Sequence, residues 1–249
     1  MKNKLITFFL AFVLNLGSLS YSIGEEFNFN ITELQITDDG NIVKGINGGI
    51  VTTKDNEIVI TANNFKYNKL TTLLVAEGNV KLVDKTSNVV IESNEIFYLK
   101  NKEEVYTNGK SKALNANNIQ IDADQYFRYN KLTSLLEAKG NVKLNDKNKK
   151  IIIYTNEILY LKNEEKISTL GKTDINVEEK YKIEGYDITL LRNEMILSSN
   201  KKSTIRDNNL NIYKPDQFQY LINPEILKGK KIYVIKNELG NKEDKFFFE

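Results

Sequence analysis

The chain has no cysteine, no histidine and no tryptophan, and only two prolines in 249 residues. Without cysteine there is no disulfide frame, no thiolate nucleophile and no zinc-thiolate site. Without histidine the usual general base, the commonest metal ligand and the switch near neutral pH are all missing. Nothing in the sequence calls for a metal or a cofactor. Both prolines, Pro215 and Pro224, lie late, so the first two hundred or so residues carry none of the residue that most disrupts a strand ladder. Charge of one sign is also lacking: Lys plus Arg number 35 and Asp plus Glu 33. Acidic and basic residues alternate along the chain, so the electrostatic footprint of a nucleic-acid binder is absent.

A long apolar run occurs once, and it is short for a bilayer. "MKNKLITFFLAFVLNLGSLSYSIGEE" opens with Lys2 and Lys4, continues with apolar Leu5–Leu16 and reaches small residues at Ser20 and Ser22. This is the three-part pattern of a secretory signal peptide over residues 1–22, with a membrane anchor as the alternative reading. No cysteine follows the run, which excludes a lipoprotein anchor. The expectation is an exported chain with no later transmembrane helix.

What the sequence does have is a repeat. "NKLTTLLVAEGNVKL" (Asn68–Leu82) returns as "NKLTSLLEAKGNVKL" (Asn130–Leu144), 62 residues later, and the underlying period is 31. Gly78, Gly109, Gly140 and Gly171 form one column, and Tyr67, Tyr98, Tyr129 and Tyr160 another. Around each glycine, at two-residue steps, stand Leu74, Val105, Leu136 and Ile167; then Ala76, Thr107, Ala138 and Thr169; then Val80, Ser111, Val142 and Thr173; then Leu82, Ala113, Leu144 and Ile175. Alternation at period two marks a strand with one face inward.

A second strand ends at each tyrosine. In "IVITANNFKY" the inward parity switches at Asn63-Asn64, and matching switches fall at Asn94-Glu95 and Asn156-Glu157. A parity switch at the same place in each copy predicts a bulge or corner. The third copy has one further residue around Asp124–Phe127. The unit is thus two strands, a corner and two turns rich in Asn, Asp, Lys and Ser, and no unit can bury its apolar face alone. A repeat domain is expected over residues 23–200. Residues 201–249 read as a degenerate repeat or a truncated segment, with Pro215 and Pro224 in edges or loops.

"AEGNVKL" and "AKGNVKL", in register with the tyrosine-ended strands and behind a signal peptide, resemble the OstA/LptA-like domain of lipopolysaccharide transport. Within that family the likeness is greatest to the periplasmic N-terminal domain of the LptD assembly proteins. It covers roughly Ile31 to Asn200. It implies an all-β, twisted, V-shaped antiparallel β-jellyroll that stacks edge to edge with similar domains or with copies of itself. It also implies a periplasmic module whose apolar groove shields the acyl chains of lipopolysaccharide or lipid A. LptD proteins continue into a large outer-membrane barrel, for which "NKEDKFFFE" leaves too few residues. The chain is therefore expected to be either a truncated LptD or a free periplasmic domain, and the disulfides of some LptD proteins have no counterpart.

The groove candidates that follow are Leu74, Ala76, Val80, Leu82, Val105, Leu136, Ala138, Val142, Leu144, Ile167 and Ile175, with Tyr67, Tyr98, Tyr129 and Tyr160. The residues themselves fit either a lipid-lined groove, with the small column leaving room between layers, or a dry core packed on itself. Tyrosine in such a column can put its hydroxyl at a wet rim. Two other functions fit a β repeat. One is a polysaccharide-active enzyme on a β-solenoid, using Asp122 and Asp124 with Glu95 or Glu157. The other is a scaffold or adhesin that binds protein through a free strand edge. Repetition of the acidic positions argues for structure over a single catalytic centre, and the chain is read as a non-enzyme.

Overall fold

The computed structural model describes residues 21–22, 26–238 and 242–248. The signal-peptide expectation falls almost wholly outside the described residues. The fold is all-β and antiparallel, a jellyroll-like array of two leaves joined along a corner. The chain crosses the corner again and again, each crossing lying beside the last. Some crossings are continuous strands that bend, such as Leu73–Asp84, Val89–Leu99, Leu135–Asp146, Ile151–Leu161 and Lys166–Val177. In others the corner breaks the strand in two, as in Ile58–Ala62 with Asn64–Asn68, Glu104–Thr107 with Ser111–Asn115, and Ile119–Ala123 with Tyr126–Asn130. Two crossings, out and back, make one 31-residue unit.

The corner is where the parity switches are. Pairing of Leu73–Asp84 with Val89–Leu99 shifts register between Glu77 and Val80, and Leu135–Asp146 shifts against Ile151–Leu161 between Lys139 and Val142. At these points Gly78 and Gly140 take φ of +78° and +87°. Only glycine adopts that conformation without a steric penalty, which explains the glycine column. A Cβ on Gly140 would also meet the Gln125 side chain at 2.4 Å and its backbone nitrogen at 2.9 Å.

Each leaf presents one inward ladder. In the first leaf Tyr67, Leu74, Tyr98, Val105, Tyr129, Leu136, Tyr160 and Ile167 follow one another in cross-strand register. In the second leaf the order is Ile60, Leu82, Ile91, Ala113, Ile121, Leu144, Ile153 and Ile175. The two ladders face each other and form one continuous apolar core.

Strand pairing runs straight across Asn200. Ile183 pairs with Ile205, and Leu197 with Tyr220. Ile205, Phe218, Tyr220 and Ile222 are buried in that same core, so residues beyond 200 continue it. The prolines sit where the sequence puts them, Pro215 between strands and Pro224 in a turn. At the other end, Glu33–Thr37 of the strand Phe27–Thr37 is paired on one side only among the described residues.

Candidate functional site

Every groove candidate points inward and is buried. Leu74, Leu82, Ala138, Leu144 and Ile167 have no exposure at all. Ala76, Val80, Val105, Leu136, Val142, Ile175 and the four tyrosines reach at most 5%. The sequence columns therefore identify one shared interior. The small column does not leave room, however. Ala76 lies in register between Phe65 and Ile96, and Ala138 between Phe127 and Ile158, and these large neighbours fill the space. Thr107 and Thr169 use their hydroxyls at the corner, where Thr107 Oγ1 accepts the Phe127 N–H at 2.8 Å and Thr169 Oγ1 the Ile188 N–H at 2.9 Å.

An apolar lining open along one edge is also not what the side opposite the corner presents. There the tips of the two leaves meet and side chains bridge them in a polar seam. The Tyr129 hydroxyl donates to Asp84 Oδ2 at 3.0 Å, Asn115 Nδ2 donates to the Tyr160 hydroxyl at 3.4 Å, and Arg192 Nε donates to Asp146 Oδ2 at 2.7 Å. The partners are 45, 45 and 46 residues apart, so the seam repeats with the units. Lys131 pairs with Glu57, Lys162 donates to the Ser87 carbonyl, and Arg192 also pairs with Glu165.

The seam acceptors are held by their own turns. Asp84 Oδ1 accepts the N–H groups of Thr86 and Ser87, each at 3.0 Å, and Asp146 Oδ1 that of Lys149 at 3.0 Å. Burial alone would push the Asp84 carboxyl up. Its bonds from Thr86, Ser87 and Tyr129 outweigh that and hold it below the ordinary value. The tyrosines shift the other way. Burial, aided by the charge of nearby Glu26, pushes Tyr67 up to about 12. Burial also raises Tyr98, Tyr129 and Tyr160, near Glu103, Asp84 and Glu165. All four remain protonated at neutral pH. Tyr98 and Tyr160 donate to Glu103 and Glu165 at 2.7 and 3.1 Å.

Asp84, Asp146, Glu103, Glu165 and Arg192 are the residues that sequence reasoning missed. A signal exists: Thr53, Asp84, Asn115 and Asp146 stand 31 apart, as do Lys69, Lys100, Lys131 and Lys162. Both columns pass for ordinary turn residues, and Arg192 falls one short of the period.

Among the described residues a small void of about 20 Å³ is lined by Val89, Ala113, Ile121, Tyr129, Leu136 and Tyr160, together with Asn115 and Lys162. That is about the room one water molecule needs, far less than an alkyl chain. The acidic pair suggested for an enzyme is engaged in local structure. Asp122 accepts from Gln120 at 2.7 Å and Asp124 from Asn141 at 3.0 Å, while Glu157 pairs with Lys139 at 3.3 Å. Among the described residues no helix is long and apolar enough to cross a membrane.

No family model matches the sequence, and no curated protein does. Among solved structures, the wild-type TCP10 domain of Danio rerio CPAP, determined in complex with a peptide of Danio rerio STIL, aligns over 87% of this chain and 98% of that one. The identity is 8% and the TM-score 0.20, too low to carry an argument.

Proposed function

We propose that the chain is a periplasmic lipid-shielding module that covers acyl chains of lipopolysaccharide or lipid A on their way to the outer membrane. The observation that carries this reading is an apolar interior, continuous through successive units, that the leaf tips close with side-chain contacts. The corner side is held by backbone and cannot open without unfolding, whereas the seam can part while both leaves keep their ladders.

The energies are of the right order for reversible loading. Ten buried methylenes would recover about 8 kcal/mol relative to water. Hydrogen bonds to charged groups contribute about 1.5–3 kcal/mol each, so parting two or three seam links costs a comparable amount. The strand edge at Glu33–Thr37, paired on one side only among the described residues, offers backbone donors and acceptors to a neighbouring β domain or a second copy, as a relay of such modules requires.

Photo-crosslinking tests the reading. Probes placed singly at Leu74, Val105, Leu136 and Ile167 in the mature chain are expected to capture labelled lipopolysaccharide or lipid A. A folded protein that yields no crosslink from any of the four positions sinks the proposal.

A further inference from the structure

The void in the interior and the weakest link of the seam coincide. In the second leaf's ladder, units that elsewhere place Leu82, Leu144 or Ile175 place Ala113, and the missing carbons leave the void beside it. Directly above, Asn115 and Tyr160 bridge the leaf tips in a neutral contact at 3.4 Å, with Asn117 Nδ2 donating to Glu165 Oε1 at 3.4 Å and Lys162 to the Ser87 carbonyl beside it. The links on either side use a carboxylate, at 3.0 Å for Asp84 and 2.7 Å for Asp146. A neutral bond at that length is the cheapest of the three to break.

The charges at this place are also unlike those around it. Lys100 pairs with Glu103, Lys131 with Glu57, and Arg192 with Asp146 and Glu165. Lys162 donates to the Ser87 carbonyl and pairs with no carboxylate among the described residues. The acid three residues on, Glu165, is occupied by Arg192, the Tyr160 hydroxyl and the Asn117 amide. An ammonium thus lies beside an apolar void, under the seam's neutral link.

We propose that this is an entry site for a single alkyl chain bearing an anionic head group. The chain takes the space beside Ala113 as the Asn115–Tyr160 contact parts, and a carboxylate or phosphate head pairs with Lys162. The inference rests on the lipid-shielding reading and adds to it where loading starts and which head-group charge is favoured.

The test uses a fluorescent probe, 11-(dansylamino)undecanoic acid, and its uncharged methyl ester, titrated into the full mature chain. The acid is expected to bind several-fold more tightly than the ester, and Lys162→Met to abolish that preference. Ala113→Leu fills the void and is expected to weaken both probes by about tenfold, the loss of roughly two buried methylenes. Unchanged binding by Ala113→Leu with a native circular-dichroism spectrum overturns the site. So does a Lys162→Met protein that still prefers the acid, a readout that holds even if Ala113→Leu does not fold. If the unaltered chain binds neither probe, the lipid-shielding reading fails along with this one. Binding that ignores both substitutions removes the entry site alone.

Discussion

Arg192 joins a fully buried carboxylate to a partly buried one. Asp146 is fully buried, and the guanidinium meets it and Glu165 together. Replacing Arg192 with Met leaves those acids facing each other without a cation. Breaking a buried ion pair from one side costs about 3–5 kcal/mol, and urea denaturation of Arg192→Met is expected to show a loss of that order. Asp84 gives the pH counterpart. Its folded pKa lies below the ordinary 3.8, so its contribution to stability is complete above that value and is lost as pH falls through the folded value. The stability gap between the unaltered chain and Asp84→Asn is therefore expected to be constant near neutrality and to shrink in urea titrations below about pH 3.8. Tyr129→Phe removes one of the bonds that depress this pKa, and about 1.5–3 kcal/mol should go with it.

The crossing strand shows what the amino-acid order reveals and what it hides. The parity switch at Asn94-Glu95 predicts a corner, and the register shift opposite it lies there, between Glu77 and Val80. The glycine column predicts a close backbone approach or a sharp bend, and Gly78, Gly109, Gly140 and Gly171 all have positive φ. Both features are local: period two reports which face a residue takes, and glycine reports a backbone that other residues avoid. The seam is not local. Tyr129 meets Asp84 only because the two leaf tips converge, and nothing near either residue encodes the 45 positions between them. Asp84 also caps its own turn, so its polarity is already accounted for. The small column misleads for a similar reason, since Ala76 gains its neighbours Phe65 and Ile96 from adjacent strands. Two glycines separate backbone strain from crowding. Gly109→Ala has nothing within 4 Å of its new Cβ and should cost only the left-handed conformation, about 1–2 kcal/mol. Gly140→Ala must also displace Gln125, whose backbone nitrogen lies 2.9 Å away, and is expected to cost more in the same urea assay.

Across the whole molecule, stability is distributed as in a repeat array, where each crossing is held by its two neighbours. The charged and tyrosine links of the seam add contacts between crossings that are not adjacent, as between Arg192 and Asp146. The end of the array then matters as much as its middle. A domain limit at residue 200, which the fading repeat suggests, would cut between strands that are paired, leaving Tyr181–Tyr186 and Ile196–Ser199 as new open edges. It would also remove Phe218, Tyr220 and Ile222, all buried against the common core. Burying side chains of this size stabilises a fold by about 1.5–3 kcal/mol each. A chain ending at Asn200 is therefore expected to melt lower than the full chain, by about 2–4 °C for each kcal/mol lost. Its new edges should also drive self-association, visible as a concentration-dependent mass by size-exclusion chromatography with light scattering. A truncated protein that stays monomeric and melts like the full chain would show that residues 201–249 are an appendage, despite the ladder that joins them to the rest.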